Sequence, residues 1–301
     1  MDDQDYRRAA LALGIIALVL FLGILAVAAM AAGEEARAGE ISGDYAMRNS
    51  MDEAQGTIQK DLSGMDSVVT NGASGIGQTG LSGDQALVLL SGMSSSGPAA
   101  IDAVTSNLNG TIVAVQPDQY KSVIGADIYN QTHIKRLYEE KVPVMSDLFM
   151  TVEGFPAVDI ASPVISPDGK FIGATTLLIN PATLIGRDMP KDNGEPSLDV
   201  WVMQKDGTLL FSSNVEHVGK NVFNDPGFKK YPYLVNVSGN ITTDWQGSVI
   251  DMSTDMQGKS LTRHIIWTTV GIRGTEWRLV FSRVVDGPPS VSDIFNPTFD
   301  Q

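Results

Sequence analysis

Lys135 and Arg136 lie side by side in the short run HIKRLYEE (residues 133–140), between Tyr129 and Tyr138. A guanidinium holds a carboxylate through two parallel hydrogen bonds, and an ammonium acts as a point charge. The pair is therefore a candidate for gripping an anionic ligand, or else an ordinary solvated helix face paired with Glu139 or Glu140. Tyr129 and Tyr138 each offer an apolar wall with a hydroxyl, and core packing would use them equally well. Asp147 and Phe149 follow with the spacing that puts alternate strand residues on one face. Asp147 can receive a ligand amine or cap a turn. Asp159 interrupts an apolar run (AVDIA, residues 157–161), so it lies either on a wet face or paired inside a pocket.

Other chemistries find little support. The chain carries a formal net charge of −14, whereas nucleic-acid binding needs a basic face. It has no cysteine, which excludes disulfides and thiolate metal sites. His133, His217 and His264 are too scattered to show metal-ligand spacing. No nucleophile elbow, P-loop or dinucleotide glycine motif is present. A binding protein without cofactor or metal is expected, not an enzyme.

The elements that must position these residues are mostly legible. Residues 111–116 (TIVAVQ) read as a strand, followed by a Gly125-Ala126-Asp127 turn and the helical run 133–140. Three β-rich runs come next: 143–151, 155–166 and 171–179, the last two joined by a Pro167-Asp168-Gly169 turn. A curved antiparallel sheet with a helix across its open face would leave a small-molecule pocket. Met51, Ala54, Ile58, Leu62, Met65 and Val69 recur at helical spacing and predict a long helix over 34–69. The glycine-rich run 71–80 should break it. A second helix is expected near Ser82, where Ser82 and Gln85 have capping-box spacing, and a short one at 99–105.

The second half echoes the first. Asn109-Gly110-Thr111 feeds one strand and Asp206-Gly207-Thr208 another, and each is followed by a loop that closes on a glycine turn, at Gly125 and Gly219. Strands are expected at 198–204, 208–213, 259–270 and 275–284, with a loop over 225–240. Four sequons occur, at Asn109, Asn130, Asn236 and Asn240.

Residues 9–32 carry no charge. As a helix they would span about 36 Å, enough to cross a bilayer core. Arg7 and Arg8 precede the run, which places the N-terminus in the cytoplasm and the rest outside. The expected organisation is a cytoplasmic N-terminus (1–8), a transmembrane anchor (9–32), a stalk helix with a first module (33–188), a second module (189–285) and a disordered tail (286–301). The chain is expected to lack an output domain and to act through a signalling partner or a homodimer.

The fold class is α+β. Gly125-Ala126-Asp127, KRLY (135–138), PVMSD (143–147), ASPV (161–164) and KFIG (170–173), with VWVMQKDGTLLFSS and VGKNVF in the second half, resemble the double Cache family of extracytoplasmic sensor domains. That resemblance implies two PAS-like modules stacked along one long helix and covers residues 34–285. It implies a small ligand, often an amino acid or carboxylate, in the first, membrane-distal module. In the amino-acid-binding branch an Arg-x-Trp-Tyr run grips the carboxylate, and an Asp at the end of the last distal strand takes the amine. Lys135 replaces that Arg, Leu137 the Trp, and Asn180 the Asp. An amide accepts a hydrogen bond but does not neutralise an ammonium. A carboxylate or neutral polar ligand is thereby implied at least as well as an α-amino acid. The rival expectation is a surface interaction protein that keeps the fold without a ligand.

Overall fold

The computed structural model describes residues 3–189, 198–230, 232–254 and 260–285. The expected linker at 190–197 and the tail at 286–301 lie outside these residues. Two compact units separate, Met1–Asn49 and Ser50–Gln301. A helix, α1 (Asp3–Thr79), contributes to both.

In the first unit the described side chains of the apolar run stand exposed, among them Phe21, Ile24, Val27 and Met30. The side chains of residues 9–17 and 19 of the expected anchor lie outside the described residues. Among the described residues no helix is long and apolar enough to cross a membrane.

The second unit is organised along the rest of α1. Met51, Ala54, Ile58, Leu62, Met65 and Val69 are all buried, as their spacing predicts, and the stripe continues through Ala73 and Ile76. The helix runs on through most of the glycine-rich run and stops only at its last residue, Gly80, which has a φ of 93°. Gly72, Gly75 and Gly77 are contact points. A Cβ on Gly72 would meet the flexible Met93 side chain, and one on Gly77 would lie 2.2 Å from the carbonyl oxygen of Ile165. Helix and sheet therefore touch backbone to backbone. Gly77→Ala should destabilise the protein by about 2 kcal/mol, even though alanine favours a helix by about 1 kcal/mol. Gly64, with open space around it, supplies the control: Gly64→Ala should stabilise by up to about 1 kcal/mol. Denaturant midpoints of the two variants, shifting in opposite directions, would check this.

The first sheet contains β1 (Ala100–Asn107), β2 (Ile112–Gln116), β3 (Val144–Met145), β4 (Phe149–Met150), β5 (Pro156–Ile165) and β6 (Phe171–Ile179). Its order is β2-β1-β6-β5-β3, with β4 also on β5, and every pairing is antiparallel. Residues 99–105, expected as a short helix, instead form the strand β1, hydrogen-bonded on both sides. Its alanines allow either state, and the two flanking strands decide it. The run 143–151 breaks into two short strands. Helix α2 (Asp84–Ser94) starts after Gly83 with no side-chain cap, so Ser82 and Gln85 form no capping box. Helix α3 (Thr132–Glu140) lays Ile134 and Leu137 on the sheet, in a core with Val104, Ile112, Val144 and Ala161.

The second sheet has β7 (Asp199–Gln204), β8 (Leu209–Ser212), β9 (Gly247–Thr254), β10 (Ser260–Ile272) and β11 (Thr275–Val285) in the order β8-β7-β11-β10-β9. The expected loop over 225–240 contains a 3-10 turn and most of a helix, α5 (Pro232–Thr243), after the short α4 (Pro181–Asp188). Leu234, Val237 and Ile241 at helical spacing bury one face of α5 and outweigh its Ser-Gly-Asn centre.

The sequence echo has a hydrogen-bonded counterpart. Thr111 bridges Asp127 in the first module, and Thr208 bridges Asn221 in the second. Gly125 N–H donates to Ile112 O and Gly219 N–H to Leu209 O; Ile128 N–H donates to Gly110 O and Val222 N–H to Gly207 O. All four glycines have positive φ, between 76° and 93°, which side-chain-bearing residues rarely adopt. α1 is tied to the second sheet by Gln59, whose amide both donates to and accepts from Gly271, and by the Arg273–Asp66 pair. The segment around β3 and β4 meets the same sheet. Leu148 N–H donates to the Gln204 side chain, and the Thr275 hydroxyl donates to Met145 O.

Candidate functional site

The first sheet has an inner face that α1 and α2 do not cover. Register places Asp102 of β1 and Asp159 of β5 on either side of Leu178 of β6, in one row across three strands. Val104 and Thr176 form part of the next row. Ile128 and Gln131 before α3 close the space above, with Phe149, Thr151, Val152 and Glu153 of the β4 turn. The resulting cavity is small, about 20 Å³, and open on one side to solvent.

Its electrostatics are one-sided. Asp102 is fully buried, and neither carboxylate oxygen has a hydrogen-bond partner among the described residues. Burial pushes its pKa up to about 8, and the charges of Glu153 and then Asp159 add to the effect. Asp159 is 2% exposed. Its Oδ2 lies 2.9 Å from His133 Nε2, while Oδ1 has no partner. Asp159 N–H donates to Ser146 Oγ, and the His133 ring stacks at 4.8 Å from Phe149. Glu153 Oε2 is also enclosed without a partner. No Lys or Arg is among the residues lining the cavity. An unpaired buried carboxylate is costly, so Asp102, with the free oxygens of Asp159 and Glu153 beside it, is suited to receiving a cationic N–H donor.

The expected site residues divide around this cavity. Asp159 and Phe149 line it. Lys135 and Arg136 do not; both are exposed, and Arg136 pairs with Glu140 on the wall of a wider cleft. The buried neighbours Ile134 and Leu137 turn them outward. Tyr138 donates to Asn107 O at 2.6 Å and packs edge-on against Phe171, and burial raises its pKa. Tyr129 meets Tyr138 edge to face at 5.7 Å. Neither tyrosine lines the cavity. Asp147 is exposed in the wider cleft, where Phe149 also faces. Desolvation and then the neighbouring Asp206 charge raise its pKa. Asn180 is the N-cap of α4 and accepts from Thr183 N–H at 3.0 Å. Asp102 and Glu153 are not among the residues that the sequence points to. The signal for Asp102 was available as a lone acid in the apolar run AAIDAV, had that run been taken as a strand.

Comparisons with known proteins agree on the architecture. Residues 60–181 match the family model for the HK/GC/chemotaxis protein-like sensor domain. An extracellular ligand-binding receptor from Desulfohalobium retbaense superposes with a TM-score of 0.65 at 31% identity; the alignment covers 78% of this chain but 39% of that one. The ligand-binding domain of the Pseudomonas aeruginosa amino acid chemoreceptor PctB, in complex with L-Gln, gives 0.57 at 16% identity, covering 83% of this chain and 96% of that one. That of the Pseudomonas fluorescens chemoreceptor CtaA, in complex with L-serine, gives 0.60 at 17% identity, covering 82% and 100%. Likeness at such identity speaks for the fold. Among curated proteins none matches the sequence significantly. With its two antiparallel modules along one helix, the chain has the fold seen in the extracellular ligand-binding domains of chemoreceptors, and its first module resembles the HK/GC/chemotaxis protein-like sensor domain.

Proposed function

We propose that this chain is the outward-facing sensor of a membrane receptor system and binds a small polar ligand in the cavity of its first module. The observation that carries this is Asp102, a fully buried carboxylate with no partner among the described residues, on the wall of this small cavity. A group so costly to leave unpaired fits a ligand that brings a cationic N–H donor. The same cavity, free of Lys and Arg, favours an amine over the purely anionic ligand that Lys135 and Arg136 suggest. The uncharged run 9–32, whose described apolar side chains are exposed, supports an N-terminal membrane anchor. Signalling would then pass to a partner or to a second copy of the chain.

Thermal unfolding of the protein against amino acids, organic acids, amines and nucleobases tests the proposal. A ligand at about 100 times its Kd adds about 2.7 kcal/mol. Saturable stabilisation by an amine-bearing compound is expected. A cooperatively folding protein whose transition no compound moves would overturn it and favour an interaction protein instead.

A further inference from the structure

The second module carries a roomier cavity than the first. It measures about 200 Å³ and lies between the start of β7, the end of β8 with the turn after it, and the start of α5. Trp201 and Leu234 form its buried wall, Tyr233 and His217 are half-buried, and Asp199 and Asn214 stand exposed on its rim. A cavity of about 150 Å³ takes a benzene ring, so this space takes one ring with a polar substituent.

The wall asks for a hydrogen-bond acceptor. The indole N–H of Trp201 has no acceptor among the described residues. In the same core the indole N–H of Trp267 donates to Asp244 O. Ser282, directly opposite Asp199 in the register, is 1% exposed, and its hydroxyl is likewise without a partner. An indole N–H donates and never accepts, and leaving it unmade inside the protein costs free energy. Charge narrows the choice. Among the described residues no Lys or Arg lines the cavity, whereas Asp199 does. Burial and then the charge of Lys220 lower the pKa of His217, so its imidazole is neutral at pH 7. A carboxylate would meet Asp199 without a cation to offset it. An ammonium brings no acceptor for the indole, and the Tyr233 ring already faces the Arg263 guanidinium at 4.5 Å.

We infer that the second module holds a ligand site of its own, for a neutral, planar, single-ring compound that bears a carbonyl. The ring packs on Trp201 and Tyr233, and the carbonyl oxygen accepts from Trp201 Nε1. This site does not depend on the cavity of the first module.

Isothermal titration of the full-length protein tests this with three probes of one shape and different charge: benzamide, benzoate and benzylamine. Benzamide should bind at least tenfold more tightly than either ion. Trp201→Phe keeps an aromatic wall and removes the N–H; it should weaken benzamide about tenfold. Asn214→Trp, on the exposed rim, should block the cavity and abolish binding, and it decides the matter if Trp201→Phe fails to show a cooperative unfolding transition. Asp102→Asn, in the first module, should leave benzamide binding unchanged. Three outcomes overturn the inference: no binding of benzamide at millimolar concentration, binding of benzoate or benzylamine as tight as that of benzamide, or benzamide binding that survives Asn214→Trp. Loss of benzamide binding in Asp102→Asn would also overturn it, and would assign the compound to the first module instead.

Discussion

Asp102→Asn is expected to make the ligand-free protein more stable at neutral pH, not less. A buried carboxyl whose pKa is raised from 3.8 to about 8 keeps a proton in the folded state that the unfolded chain has released. Stability therefore falls as pH rises through that window, by up to about 1.4 kcal/mol per pH unit. At pH 7 the accumulated cost is on the order of 4 kcal/mol. An asparagine does not titrate, and burying its amide returns about 1 kcal/mol of that. The net gain of about 3 kcal/mol corresponds to roughly 10 °C in Tm. Unfolding profiles from pH 5 to 8.5 would check this: the wild-type protein should lose stability with pH more steeply than the variant, and the gap should narrow toward pH 5. Glu153, Asp159 and His133 surround the same space and are retained in both proteins, so the difference between the profiles reports Asp102. Superimposable profiles would mean that this carboxyl is solvated or paired in solution. A large gain would show stability given up for a binding group.

How much of this was visible in the sequence depended on how local each signal was. The hairpin through Pro167-Asp168-Gly169 and the turn at Asp206-Gly207 were legible because a glycine with positive φ marks each turn and apolar runs flank it. The buried stripe of α1 was legible because its spacing holds for many turns. Non-local pairing was not. Residues 100–107 are a strand because two neighbours hydrogen-bond them, and Ala-Ala-Ile-Asp-Ala does not announce that. Gly72 and Gly77 read as helix breakers because the surfaces packed on them come from Met93 and Ile165, far along the chain.

The same limit explains the site. Lys135 and Arg136 stand out by their charge, yet the spacing of Ile134 and Leu137 already assigns them to the outward face of a helix. Asp159 was the better guide, since an acid inside an apolar strand must be paired or functional. Its counterpart Asp102 was hidden behind the wrong assignment of its strand. The cavity joins residues from β1, β4, β5 and β6, and the charge balance it encloses follows only from their register.

The largest loss of stability outside the cavity is expected at Arg278. This side chain on β11 is 1% exposed. Its Nε donates to Ile241 O at 3.1 Å and Asp244 O at 3.0 Å, and its Nη1 donates to Glu276 Oε2 at 3.0 Å. The carbonyls at the end of α5 have no partners within the helix, and a cation at a helix C-terminus also meets the negative end of its dipole. Arg278→Met keeps much of the apolar stem and removes every donor. Asp244 O retains the indole N–H of Trp267 at 3.1 Å, so the loss falls on Ile241 O and on Glu276, whose pKa Arg278 holds down. A cost of about 3 kcal/mol is expected in denaturant unfolding. Arg278→Lys should recover part of it, because one ammonium cannot span both carbonyls and the carboxylate with the fork of a guanidinium. Amide exchange separates this from a general loosening. Because Leu234, Val237 and Ile241 of α5 cover the second core with Trp201 and Trp267, amides in the last turn of α5 should exchange faster at once in Arg278→Met. Amides of β5 and β6 should change only by the global loss. Uniform acceleration across both sheets would show that Arg278 supports the whole unit and not the end of one helix.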